Sequence, residues 1–397
     1  MDRGVRKQNI VAVTASNTLA VTANGLWIMF IPLYLSSTGM SLTFIGIVFG
    51  IGALVMAACQ FIGGNLADRY GRKKVMIFGR CISCCGIAAI LLSVCQFPES
   101  FSGPMLISAG YFVLYAGSGI RGPATSMLLM ESSPHRTKGR NYMVAERVLP
   151  SIPPALTVFL GSLYYESGQF DYLVGIGLIG FVAASIILAV GTVETIDDFN
   201  HDTSRQKISL IRPDAFISLL VLAFILDGVS SKGLSWYIPI YLEEQGTVFY
   251  GLLISISTLT IAFFGLLSGY IVDRYGGPSV LVPAWLLLSL VVFLFGMTTE
   301  GSQLLVLYCV WVSLDTVDTS VPPVLISNHY SSSQCATWMG WFSSVKCIVL
   351  FTGPILTGYM LTLGSSVPFY FKACANLAAS LLILKLPDLS DNLSSKS

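Results

Sequence analysis

The chain has 397 residues, of which 54% are hydrophobic and only 11% charged, with a formal net charge of +1 and a mean hydropathy of +0.74. Soluble domains carry about a quarter of their residues as charges, so composition excludes that class and marks an integral membrane protein. A near-zero charge also removes any hint of a nucleic-acid partner.

Arg3, Arg6 and Lys7 precede the first apolar run, as they would in a signal peptide. That run continues to about Leu35 without a small-residue cleavage site, and so reads as a spanning helix. A span needs roughly 20 apolar residues. By that measure there are twelve, at approximately 10–35, 42–66, 75–97, 104–131, 140–165, 170–192, 214–243, 247–272, 279–298, 303–329, 334–362 and 367–386. Long continuous runs, rather than alternation with period two, favour helices over barrel strands. The expected fold class is all-α with twelve transmembrane helices. Most of the nine cysteines fall inside these runs and read as buried small hydrophobes, with soft-metal ligation by Cys81, Cys84 and Cys85 left open.

Loop charge sets the expected orientation. One side carries Arg69, Arg72, Lys73 and Lys74, then Arg136, Lys138 and Arg140, then Arg205, Lys207 and Arg212, then Arg274. Loops on the other side carry only acids, including Glu99, Glu166, Glu243, Glu244 and Glu300. Positive residues stay inside, so both termini are expected in the cytoplasm. The longest polar segment, 194–213, reads as a cytoplasmic linker between an amino-terminal half, 1–193, and a carboxy-terminal half, 214–397.

A charged turn, Gly64 through Lys74, separates spans two and three. A weaker copy begins at Gly269 and matches at Asp68/Asp273, Arg69/Arg274, Tyr70/Tyr275 and Gly71/Gly276, which makes the halves related repeats. Two other matches carry no function. Gly117-Ser118-Gly119-Ile120-Arg121-Gly122 fits G-x-G-x-x-G, but sits within a span with no strand before it, so its glycines serve helix packing, like Gly265 and Gly269. Asn392-Leu393-Ser394 fits a glycosylation sequon on the cytoplasmic side. The phosphate-binding G-x-x-x-x-G-K-[ST] pattern is absent, which argues against an ATP-driven pump.

Gly64 through Lys74 resembles, at every defined position, the G-x-L-A-D-R-x-G-R-K signature of the major facilitator superfamily. Glu131 through Gly139 is similar to that family's E-x-x-P-x-x-x-R-G pattern, with Lys138 in place of Arg. The subfamily is unassigned. The efflux pattern G-P-x-x-G-G is replaced by Pro150-Ser151-Ile152-Pro153-Pro154-Ala155-Leu156, and the sugar-porter signatures are missing. The resemblance implies a substrate site near the bilayer midplane, lined by helices 1, 4, 7 and 10.

Those helices carry polar faces at spacings of three, four or seven: Thr14, Asn17 and Asn24; Ser118, Arg121 and Thr125; Asp227, Ser231 and Ser235; Trp311, Asp315 and Asp318. A charge at the bilayer centre costs roughly 2.5–3.5 kcal/mol, so Arg121, Asp227, Asp315, Asp318 and Lys346 need partners or a wet cavity. Asp227 and Lys346 form the expected interhelical pair, similar to pairs in symporters of the family. Asp315 and Asp318 repel when both are ionised, which suits proton coupling, with Asp318 the first choice. Asn17, Asn24, Arg121, Thr125 and Trp311 are the expected substrate-cavity residues, Arg121 suiting an anionic group. Arg80 and Lys372 read as snorkelling side chains without a function. The resemblance implies a cytoplasmic gate at Gly64, Asp68, Arg69, Gly71, Arg72, Glu131, Asp273 and Arg274, with Asp68 meeting the start of helix 11 and Arg72 reaching Glu131.

The reading is a monomeric secondary active transporter of the plasma membrane, not an enzyme, moving a small polar or charged organic solute by alternating access. Proton coupling is expected, with no cofactor, no metal and no nucleic acid. A multidrug and proton efflux antiporter is the second reading, and a nontransporting membrane sensor the third.

Overall fold

Inside hydrocarbon a backbone has to satisfy its own amides, which long apolar runs do as helices. In the computed structural model, which describes residues 3–97, 102–133, 145, 149–194, 214–329 and 332–385, helix is the only regular structure among those residues. The spans are Arg3–Gly25 continued by Ile31–Ser37, Leu42–Tyr70, Arg72–Gln96, Ser102–Ser132, Pro154–Glu166, Phe170–Gly191, Ala215–Tyr241, Thr247–Tyr275, Gly277–Met297, Gly301–Asp315 continued by Val317–His329, Ser332–Leu363 and Val367–Ile383. Eight of the described segments are long and apolar enough to cross a membrane, and three shorter ones are apolar. This is the expected all-α, twelve-helix membrane fold.

Three spans depart from the single helices expected. The first breaks after Gly25 and restarts with Pro32 near the beginning of its second segment. In the fifth, the helical turn Leu149–Ser151 is followed by a new helix from Pro154, because Pro153 and Pro154 lack the amides that would carry one helix through them. The tenth breaks at Thr316, whose hydroxyl donates to the Ser313 carbonyl at 2.6 Å and competes with the helical ladder.

The chain forms two compact units, Met1–His201 with Ile238–Leu259, and Asp202–Tyr237 with Thr260–Ser397. In the first, Val13, Ala67, Met76, Leu128 and Leu188 build a core from spans one, two, three, four and six. Spans three and four meet backbone to backbone. A Cβ on Gly79 would lie 2.7 Å from the Gly117 carbonyl oxygen, and one on Gly86 would lie 2.6 Å from that of Gly110. Gly86→Leu is therefore expected to abolish the yield of monodisperse protein, whereas Gly122→Ala, with nothing within 4 Å of the new Cβ, leaves yield and melting temperature unchanged. Gly265 is a correction: a Cβ there also meets nothing within 4 Å, so it does not serve helix packing.

The second unit centres on an aromatic cluster. The Phe295 ring lies 5.6 Å from that of Trp311 and 5.2 Å from that of Phe369. The cysteine reading also changes, since Cys81, Cys85, Cys95 and Cys374 are exposed and Cys84 is half-buried. The outer face of a spanning helix meets hydrocarbon, so a small apolar residue is stable there without protein around it.

Candidate functional site

The charged turn is built around Gly71, whose φ of +97° only glycine adopts without strain. Its counterpart in the repeat, Gly276, has φ +83°, so the duplication extends to the backbone. Arg72 then opens the third span. Its backbone amide and that of Lys73 each donate to the Glu194 carboxylate at 3.0 Å, an anion capping the positive helix end. Its guanidinium meets Glu131 at 3.0 Å, as the resemblance implies. The turn is thus tied to the feet of spans four and six of its own unit.

Gly64 and Arg69 are at least partly exposed beside this anchor. In the second copy Arg274 receives no comparable carboxylate among the described residues: it donates to the Tyr270 hydroxyl at 3.2 Å and lies over the Tyr275 ring. The side chains of Asp68, Asp273 and Lys346, and the residues 195–213, Arg136, Lys138 and Arg140, lie outside what is described.

Further along the first unit, two guanidiniums converge on one amide oxygen. Arg121 donates to Asn17 Oδ1 at 2.9 Å and to Thr125 at 3.3 Å, while Arg80 donates to the same oxygen at 3.2 Å. Arg80 is only 2% exposed and stacks over Phe181 at 4.7 Å. It does not snorkel, because it lies more than two turns inside its helix. Asn24 sits just before the break in the first span, and its Oδ1 is a buried acceptor with no hydrogen bond among the described residues. Such an oxygen is costly to bury unless something donates to it. Trp27 is fully buried, so its ring packs rather than offering a face to a ligand.

The second unit gathers Lys372, Asp227, Asp315 and Asp318 in one place. Lys372, fully buried on the last span, pairs with Asp227 at 3.2 Å, stands 3.8 Å from Asp315 and donates to Ser231. Ser231 also donates to Asp227 at 3.1 Å, and the Asn376 amide nitrogen faces the same carboxylate at 3.2 Å. Asp227 thus takes its cation from Lys372, the second residue misread as snorkelling.

Two indoles position the remaining acids: Trp311 donates to Asp315 at 2.9 Å and Trp285 to Asp318 at 2.6 Å. Trp311 is 4% exposed, which makes it the support of Asp315. Oxygens of Asp227, Asp315 and Asp318 all lie within 4.8 Å of one another. Lys372, Asn376 and Ser380 recur every fourth residue, so a buried polar stripe on the last helix was the signal that sequence reasoning missed. Trp285 carried no such signal, since tryptophan is ordinary on an apolar span.

The sequence pattern of the Major Facilitator Superfamily matches residues 13–249 and 220–396. The Quinolone resistance protein NorA of Staphylococcus aureus (strain MSSA476) is 24% identical over 378 residues, covering 91% of this chain and 92% of that protein. Among solved structures, the inward open xylose transporter XylE from E. coli is similar with a TM-score of 0.71 at 12% identity, covering 96% of this chain and 95% of that one. The human organic anion transporter MFSD10 is similar with a TM-score of 0.65 at 14% identity, covering 95% and 99%.

Proposed function

Because the chain belongs to the Major Facilitator Superfamily and is a multi-pass secondary transporter of the cell membrane, we propose that it moves a small polar or charged organic solute by alternating access, coupled to protons. One observation carries the coupling: inside apolar spans three carboxylates lie within 4.8 Å of one another, with Lys372 the ammonium in ion-pair reach of Asp227 and Asp315 among the described residues. With all ionised the cluster is net negative. At an effective dielectric of about 20, two like charges 4.8 Å apart repel by roughly 3.5 kcal/mol. Taking up one proton removes such a repulsion, and releasing it restores one. Asp227 has Lys372 as a close cation, whereas Asp318 has an indole N–H and no cation within ion-pair distance among the described residues, which favours Asp318 as the carrier and Asp315 as its neighbour.

In the first unit Arg121, Asn17, Asn24 and Thr125 are the proposed solute contacts, and Arg72 with Glu131 belongs to a cytoplasmic gate. The charge sorting of the loops supports a proposed cytoplasmic location for both termini, and the chain is proposed to act as a monomer. The test is purified protein in proteoliposomes under an imposed pH gradient. Solute movement that follows the gradient supports the reading, and movement that follows sodium instead overturns it.

The second reading, efflux of drugs with exchange for protons, is favoured by the 24% identity to a quinolone resistance protein. Arg121→Ala separates the two. For an anionic solute, KM rises by roughly tenfold or more, because a charged hydrogen-bond partner is lost. For a lipophilic cation, transport is unaffected and the anion contact is wrong.

A further inference from the structure

A cavity of about 510 Å³ lies in the second unit among spans eight, nine and ten, within the range of about 300–1,000 Å³ typical of small-molecule sites. Among the described residues, its wall holds no acidic, basic or histidine side chain. Three of the hydroxyls that reach it donate along their own helices, Ser268 to Gly265 O at 3.0 Å, Ser313 to Cys309 O at 2.6 Å and Thr316 to Ser313 O at 2.6 Å, and the fourth, Thr260, bonds the Cys309 thiol across to span ten. Burying an ion requires a paired charge, which this wall does not offer among the described residues. The rim side chains Phe264, Leu267, Leu287 and Val310 are exposed, and they belong to apolar helices of a membrane fold, so the mouth meets hydrocarbon.

An empty apolar void forfeits the dispersion contacts of everything lining it. We infer that this crevice binds the acyl chain of a bilayer lipid. Its place in the fold makes the bound chain a regulator. Thr316, which lines it, is the residue at which the tenth span breaks between Asp315 and Asp318. Trp311, Asp315 and Asp318 share one face of that span, and Val310, Ser313, Leu314 and Val317 share the other, toward the cavity. Ala284 in the wall adjoins Trp285, which holds Asp318. A chain in the crevice therefore braces the back of the break that positions both acids.

The experiment uses the purified full chain in nanodiscs of phosphatidylcholine carrying a diazirine near the end of one acyl chain, with photo-adducts mapped by mass spectrometry. The expected result is several-fold enrichment on spans eight to ten over span six, whose Ile179 and Val190 are 71% and 77% exposed. Ser313→Phe and, separately, Cys309→Phe fill the cavity and should remove that enrichment without lowering the melting temperature. Adducts distributed in proportion to exposure in the unmodified protein overturn the inference, whatever the variants do. So does labelling of the crevice by a photoreactive lipophilic cation but not by the lipid chain, which would make it a substrate site.

Discussion

Replacing Lys372 with alanine is expected to destabilise the protein by about 3–5 kcal/mol, the usual cost of removing one partner from a buried ion pair. Lys372 is fully buried, and its loss leaves Asp227, Asp315 and Asp318 within 4.8 Å of one another with no ammonium in ion-pair contact among the described residues. The readout is the melting temperature and folded yield of detergent-purified protein, both of which should fall sharply. Adding Asp227→Asn to Lys372→Ala should recover part of the loss, since it removes the carboxylate that the lysine held at 3.2 Å. A single variant that melts like the parent would show that the pair does not bear on stability.

Asp318→Asn should separate coupling from binding. The asparagine oxygen can still accept the Trp285 indole bond, now 2.6 Å long, so the surroundings are preserved while the titrating group is removed. With one proton moved per solute and no membrane potential, a gradient of one pH unit supports about tenfold accumulation, because 1.36 kcal/mol corresponds to a factor of ten. The variant should show no accumulation under that gradient and should retain counterflow exchange in proteoliposomes. Unchanged pH dependence would remove Asp318 from the coupling step. Asp315→Asn is the companion measurement, since Asp315 has Lys372 at 3.8 Å, within ion-pair distance, and Asp318 has no described cation that close.

The fold was legible because the bilayer leaves so few choices. Long apolar runs form helices, and the copied Gly71 and Gly276 required the same left-handed backbone. The tie between Arg72 and Glu131 was readable from the signature that surrounds it. Glu194 was not, because a carboxylate at the start of a polar linker looks solvated until its oxygens are seen on the amides of Arg72 and Lys73. Cys81, Cys85 and Gly265 were misread for a related reason: hydrophobicity does not distinguish a face turned to lipid from one turned to protein.

Of the candidate site, the sequence by itself determined that Asp227, Asp315 and Asp318 had to be compensated and that Arg121 and Thr125 lie on one face of their helix. Helical spacing and the cost of intramembrane charge suffice for both conclusions. Only the tertiary structure decided which groups compensate them. Lys372 on the last span answers Asp227, Trp285 and Trp311 hold the other two acids, and Arg80 shares Asn17 with Arg121. The physical reason is that one-dimensional periodicity specifies which face of a helix is polar, while the partner facing it depends on the rotation and depth at which separate helices pack.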